Sequence, residues 1–331
     1  LPPNDQAAAS TKRFRRSAHL HRRSAPLTPA DPLDRIVSAR IAYILLFLTC
    51  LFWGGNSVAG KLAVGNVSPM LLTTLRWGLA FVILLALGWP RIRADLPKLR
   101  ASWLFLLVAG MFGFTVFTVA LYGALLFTTA VNTSIEQAAI PMVIFLANFL
   151  LFGLRVTATQ VLGFFISIAG VLVVASHGDP SRLLALDVNV GDAIMLVAVL
   201  VYGLYSVVLR WKPQVHWQSL MAGLTFSAFV TSVPFALAEA ASGGMILPNA
   251  TGWCIVAFTV VFPSILSQIF YIRGIELIGS NRAGLFINLV PICGTLLSLA
   301  ILREQFHLYH AVALGMALGG IWLAERRAAS A

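Results

Sequence analysis

Residues 53–58 read Trp53-Gly54-Gly55-Asn56-Ser57-Val58, and 149 positions later the chain reads Tyr202-Gly203-Leu204-Tyr205-Ser206-Val207. Lys61 and Arg210 follow at the same spacing. Trp103 and Trp253, Pro141 and Pro291, and Gly170 and Gly320 each lie 150 positions apart. One such pair alone is weak; their collinear order marks an internal duplication. Both quoted segments sit inside long apolar runs, so the duplicated unit is a set of hydrophobic helices.

Working outward, apolar runs between turn signals give ten spans, over 41–63, 69–89, 103–125, 131–152, 159–176, 191–210, 218–239, 252–275, 283–302 and 309–324. The chain has 331 residues, 59% hydrophobic and 11% charged, with a mean hydropathy of +0.88. Soluble domains carry about 25% charged residues. Here charge is too sparse to cover a water-facing surface, and the lipid bilayer is the solvent that fits. The ten-residue alternation of an outer-membrane barrel is absent from the sequence. Cys50, Cys254 and Cys293 are scattered through apolar runs, which reads as small buried hydrophobes and not as a disulfide framework.

Short connections predict antiparallel neighbours. Five spans per half is an odd number, so the second half must run upside down relative to the first. The expected fold is an all-α membrane protein of ten transmembrane helices in two inverted five-helix repeats, 41–176 and 190–326, with a basic arm over 1–40 and a tail over 327–331. Inverted repeats characterise secondary transporters, which bind substrate near the midplane. Trp53 lies about 12 residues, or about 18 Å, into the first span. Tyr202 enters the sixth to a similar depth from the opposite side. Both land near the middle of a roughly 30 Å hydrocarbon core.

Orientation follows from Lys and Arg placement. With the N-terminus cytoplasmic, nineteen fall inside: the eight of the arm, then Arg91, Arg93, Lys98 and Arg100, Arg155, Arg210 and Lys212, Arg273 and Arg282, and Arg326 and Arg327. Outside are Lys61, Arg182 and Arg303, alongside Asp179, Asp187 and Glu239. Both termini are expected in the cytoplasm and the protein in the inner membrane. The arm is polar, basic and rich in Pro, Ala and Ser, which reads as a disordered segment near anionic headgroups and not as a signal peptide. The net charge of +11 is accompanied by no nucleic-acid motif, so nucleic acid is not an expected partner.

The motifs resemble the drug/metabolite transporter superfamily, in its EamA-type branch of amino-acid and metabolite exporters. The carriers are Phe52-Trp53-Gly54-Gly55-Asn56, Leu75-Arg76-Trp77, Ala124-Leu125 with Thr128-Thr129-Ala130, Pro141, Gly163 and Gly170, and Leu302-Arg303-Glu304-Gln305. The first half departs at Phe152-Gly153-Leu154-Arg155, which lacks the Glu. The resemblance spans roughly residues 41–325. It implies a central cavity lined by spans one, three, four, six, eight and nine, with neutral and aromatic amino-acid exporters as the nearest analogy.

Glu136 is read as the acid placed well inside a span, and Arg76 as the matching cation at similar depth. Intramembrane ionisable groups face a cavity or a partner. One reading is an Arg76–Glu136 ion pair that fixes packing. The other is that Glu136 binds a substrate ammonium or a coupling proton. Asn132 shares the face of Glu136, and Gln137 and Pro141 lie on the adjacent one. Pro141 frees the carbonyl of Gln137, and Pro291, near Asn288, repeats the pattern, which suggests paired gating kinks. Trp53, Tyr122, Tyr202, Tyr205 and Tyr271 are the candidate aromatic wall, with Asn56, Ser206, Ser267 and Gln268 as neutral hydrogen-bonding groups. Gly315 and Gly319 with Gly163 and Ser167 read as small-residue packing faces and a possible homodimer seam. The six histidines fall in the arm, loops or span ends, which leaves no intramembrane His relay. Metal-ligand spacing, a Walker-type loop and a Ser/His/Asp arrangement are absent, so no metal, cofactor or catalysis is expected.

The expected function is export of neutral or aromatic amino acids, or similar small metabolites, by alternating access. The alternatives are an exchanger of organic phosphates or nucleotide sugars, which would want several cavity cations, and an intramembrane lipid-modifying enzyme, which would want clustered acids for Mg²⁺.

Overall fold

The computed structural model describes residues 32–153, 157–179, 181 and 189–325. Of residues 1–41 only 32–41 are described, as the opening turns of the first helix. Most of the predicted arm, Arg155, Arg182, Asp187, Arg326, Arg327 and the tail lie outside the described residues.

Among the described residues ten long helices follow one another: α1 Pro32–Ala63, α2 Pro69–Ala101, α3 Trp103–Ala124, α4 Ala130–Phe152, α5 Ala158–Ala175, α6 Val190–Trp211, α7 Trp217–Ala241, α8 Ala250–Ile278, α9 Arg282–Leu302 and α10 Leu308–Glu325. The described residues contain no strand. Among the described residues nine helices are long and apolar enough to cross a membrane, and α10 carries a shorter apolar stretch, Leu308–Leu323. With five helices per half, the two halves cross in opposite senses.

One boundary is corrected. The basic segment after span two is not a loop: α2 runs through Pro90 and Pro97 to Ala101. A proline removes one intrahelical bond and strains the preceding turn, but α2 packs along α7 for much of its length, which holds the helix together. Lys98 and Arg100 occupy its last turn, where cations suit the helix dipole. Ser102 alone separates α2 from α3, its N–H bonded to the carbonyls of Lys98 at 3.1 Å and Leu99 at 3.2 Å.

The duplication reappears as geometry. A π-helical turn covers Met111–Val116 in α3 and another covers Val260–Leu266 in α8. A 3-10 turn covers Gln137–Ala139 in α4 and another Ile287–Leu289 in α9, each just ahead of its proline. The carbonyls of Gln137 and Ile287, expected to need an outside partner, instead accept the N–H of Ile140 and Val290. Tightening the turn satisfies them. The α1–α9 contact also repeats as α6–α4. A Cβ on Gly54 would stand 2.5 Å from the backbone N of Gly294, and one on Gly203 2.5 Å from Val143 Cγ1.

A second correction concerns α10, which packs along α5. Its inward face is Ala313, Ala317, Gly320 and Ile321; Gly320 abuts the carbonyl of Gly163 and the backbone of Ser167. A side chain on Gly315 or Gly319 would meet nothing within 4 Å. Four-residue spacing correctly groups small residues on one face, but three small-residue stripes run along this helix and only one turns inward.

Carboxylates fasten helix starts to neighbouring helix ends. Glu239, near the end of α7, accepts from Met70 N at 3.3 Å, Leu71 N at 3.1 Å and Ser68 Oγ at 2.6 Å. At the opposite end of the same pair, Asp95 accepts from His216 N at 2.9 Å. Glu304 accepts from Ala130 N and Val131 N at the start of α4, both at 2.9 Å. Each places a negative charge on a helix N-terminus, where unpaired N–H groups and the dipole welcome it.

His216 is the N-cap of α7, its Nδ1 accepting from Gln218 N at 3.2 Å. Burial, with the Arg91 guanidinium beside it, holds its ring below the usual imidazole range against the opposing pull of Asp95. A depressed histidine contributes its stability above the unfolded value near 6.5, and that contribution is lost as pH falls through the folded value. Acidification is therefore expected to loosen the start of α7, seen as faster amide exchange at Gln218 and Ser219. His216→Asn, which caps without titrating, is expected to remove that dependence; equal acid sensitivity in both proteins would refute the assignment.

Candidate functional site

The interior polar groups fall into two centres and an aromatic wall. The first centre is built on Arg76 in α2, which is 5% exposed. Its Nη1 donates to Asn56 Oδ1 of α1 at 2.8 Å and to the Tyr122 hydroxyl of α3, and its Nε to Ser264 Oγ of α8 at 2.7 Å. Tyr122 in turn donates to Asn56 Oδ1 at 2.9 Å. The guanidinium also sits 4.6 Å from the ring centroid of Trp77. Every partner is neutral. The ion pairs among the described residues are Lys98–Asp95 and Arg273–Glu276, so the Arg76–Glu136 pair of the first of the two readings is not formed. Similar depth along two helices says nothing about whether their faces meet.

Ser264 can serve Arg76 because of Pro263. That proline removes the N–H that would bond the carbonyl of Thr259. Ser264 Oγ takes the carbonyl at 2.8 Å, and Ser267 Oγ takes that of Phe262 at 2.9 Å. The backbone bulges into the π turn, a device found often at functional sites. Trp53 Nε1 donates to the carbonyl of Pro263 at 3.2 Å. Trp53 and Arg76, from different helices, are thus tied to consecutive residues of one turn.

The aromatic wall is partly exposed. Trp53, Gln137, Tyr202, Ser206, Gln268, Tyr271 and Asn288 are half-buried, whereas Asn56, Tyr122, Asn132, Glu136 and Tyr205 are buried. Trp53 packs on Tyr271 with centroids 5.6 Å apart. Tyr202 packs on Phe117 at 4.8 Å and on Tyr205 at 5.5 Å. The two repeat-related aromatics therefore pack against different rings. Gln137 Nε2 donates to Ser57 Oγ at 3.1 Å, tying the 3-10 turn of α4 to α1. Ser206 donates to the carbonyl of Tyr202 at 2.8 Å, and Pro291 is buried while Pro141 is half-buried.

The second centre lies at the bundle end that carries Lys61, whose Nζ donates to the carbonyls of Leu125 at 2.9 Å and Thr128 at 2.6 Å. Asp192, in the first turn of α6, is fully buried. It accepts from Thr128 Oγ1 and, at 3.3 Å, from Asn132 Nδ2. Asn132 Oδ1 meets His310 Nε2 at 3.0 Å, and His310 Nδ1 accepts from His307 N at 3.0 Å. Glu136, one turn along α4 from Asn132, is fully buried with no hydrogen-bond partner on either carboxyl oxygen.

Two sequence expectations are revised here. Glu136 is not the lone buried acid, because Asp192 is equally enclosed. An interior histidine does exist, since His310 is 2% exposed. Both residues sit in the first turn of their helices, a place that reads as a span boundary. Ser264 was likewise overlooked, as one serine among several; its signal was the preceding proline inside an apolar run.

Comparison with known proteins gives concordant matches. The model of the EamA-like transporter family matches residues 40–176 and again 189–325. The uncharacterized transporter YetK of Bacillus subtilis (strain 168) is 25% identical over 284 residues, covering 85% of this chain and 86% of its own. The uncharacterized transporter YyaM of the same strain is 27% identical over 271 residues, covering 78% and 85%. An uncharacterized transporter of Archaeoglobus fulgidus is 24% identical over 283 residues, covering 85% and 96%. A solved crystal structure, 21% identical, superposes with a TM-score of 0.59 over 86% of this chain and 96% of that one, a likeness of fold.

Proposed function

Since the chain belongs to the EamA-like transporter family, with its domain present twice, we propose that it is a secondary transporter exporting neutral or aromatic amino acids, or similar small amphipathic metabolites, across the inner membrane by alternating access. The observation that supports this reading best is the shared anchorage of Trp53 and Arg76 on Pro263 and Ser264. It sets an aromatic surface beside a guanidinium whose partners are all neutral. A guanidinium is suited to a carboxylate, and half-buried rings are suited to an apolar side chain. Organic phosphates and nucleotide sugars would call for further cations beside Arg76.

The substrate would pass Trp53, Tyr202 and Tyr271, with Gln137, Gln268 and Asn288 supplying neutral hydrogen bonds. The 3-10 turns ahead of Pro141 and Pro291 are the candidate hinges. Pro lacks the bond that would stiffen that turn, and the two sites are repeat partners in opposite halves.

Counterflow of a radiolabelled panel of neutral and aromatic amino acids into proteoliposomes tests the reading. At least one panel member is expected to exchange. Trp53→Ala is expected to lower its initial rate by about tenfold or more, equivalent to about 1.4 kcal/mol, with membrane insertion intact. No exchange of any panel member, or wild-type rates in Trp53→Ala, would overturn it.

A further inference from the structure

Glu136 is anomalous among the buried polar groups. Both of its carboxyl oxygens are enclosed without a hydrogen-bond partner. Leaving an ionised carboxylate in that condition is strongly unfavourable, because no donor replaces the water it has lost. A second enclosed carboxyl, Asp192, accepts from Asn132 at 3.3 Å, and Asn132 lies one helical turn before Glu136 on the same face of α4. Glu136 and Asp192 are both 0% exposed, so a substrate ammonium has no surface to contact. A proton is the ligand that fits.

We propose that Glu136 and Asp192 are a proton-loading pair that couples a proton to the transport cycle. The coupling rests on the transport reading above; the proton site itself does not. Two carboxyls enclosed at neighbouring positions of one polar cluster, where like charges repel, hold one proton between them more readily than none or two. Loading adds a proton from water to a carboxylate oxygen. Unloading breaks that O–H bond, returns the proton to water and leaves the carboxylate; nothing is oxidised or reduced.

The surroundings fit an exchange with the solution at the Lys61 end. From α6 comes Asp192 itself, and from α10 His310, joined to Asp192 through Asn132. His307 is exposed and its ring stands 5.6 Å from that of His310. His177, beyond the end of α5, has its ring 6.0 Å from that of Tyr309, the neighbour of His310. From α1 comes Lys61, which binds the carbonyl of Thr128, and after α9 comes Glu304, bonded to the start of α4. Within its helical residues α5 presents the neutral Ser167, and α9 presents Cys293 and Thr295.

Position ties the pair to movement. Glu136 closes the α-helical segment Ala130–Glu136, and the 3-10 turn Gln137–Ala139 begins at the next residue. Charging or discharging this carboxyl changes the electrostatics at the base of the proposed hinge in α4. The second half carries Phe286 at the equivalent position, so the proton site belongs to one half alone.

The test is infrared difference spectroscopy of the full chain in liposomes, titrated with pH in H₂O and D₂O. A buried carboxylic-acid C=O band is expected that disappears on alkalinisation. Glu136→Gln is expected to remove it, and Asp192→Asn to move its midpoint by about one pH unit or more. Absence of any titrating band in the wild type between about pH 4 and 10, or a band of wild-type amplitude in Glu136→Gln, overturns the proposal. Should Glu136→Gln fail to fold, the wild-type band and the Asp192→Asn shift decide. Amino-acid counterflow in the same vesicles separates the two readings. Exchange without a titrating band overturns the proton site and leaves transport standing. A titrating band lost in Glu136→Gln, with no solute exchanged, upholds the site and overturns the transport reading.

Discussion

Arg76→Lys is expected to lower amino-acid counterflow about 100-fold, equivalent to about 2.7 kcal/mol, while the protein still inserts and folds. The charge is kept and the fork is lost. Arg76 addresses Asn56 and Tyr122 through one nitrogen and Ser264 through another, so three helices besides its own are oriented by one planar group. An ammonium is a compact point charge and cannot present donors in that divergent plane. Hydrogen bonds to charged groups are worth about 1.5–3 kcal/mol each. Losing one or two therefore accounts for the expected fall without requiring unfolding. Initial rates normalised to inserted protein provide the measurement. A rate within threefold of wild type, a difference of about 0.65 kcal/mol, would remove Arg76 from the site.

Gly54→Val is expected to yield no stable, monodisperse protein. The new Cβ would stand 2.5 Å from the backbone N of Gly294 and 3.0 Å from both Cys293 C and Gly294 Cα. These are backbone atoms, so no side chain can swing away. Overpacking a close-packed interior costs about 1–3 kcal/mol even where side chains can adjust. Gly203→Val strikes the repeat-related contact, but there the obstacle is the Val143 side chain, and a milder loss is expected. Gly315→Val has open space around it and is expected to behave as wild type. Size-exclusion profiles of the three variants in detergent check the order. A monodisperse Gly54→Val would show that α1 and α9 can part more readily than their contact suggests.

What the sequence discloses follows what hydropathy can and cannot measure. A run of apolar residues reports that a helix meets lipid or core, so the ten spans and the duplication were legible. The run ends where charge begins, which is why the apolar pattern of span two stops at Trp89: Arg91 and Arg93 mark where the apolar stretch ends, not where the helix stops. Trp53, Arg76 and Glu136 stood out because each is uncommon in such a run. Their partners did not, because partnership is set by helix rotation and crossing, which spacing along one helix leaves open. Arg76 found Ser264, 188 positions away, and Asn132 found His310, 178 positions away. The inward stripe of α10 was missed for the same reason.

The fastenings of the helix starts have a consequence for timing. α2 and α7 are secured to each other at both ends, by Glu239 and by Asp95. The start of α4 is secured by Glu304, but 150 positions earlier the sequence carries Leu154, a side chain with no acceptor. Perfectly matched halves that trade places would populate their two arrangements equally. Unequal clasps favour the arrangement in which the stronger one is closed. At about 1.4 kcal/mol for each factor of ten, a single carboxylate is enough to give the alternating-access cycle proposed above a preferred resting posture and unequal dwell times.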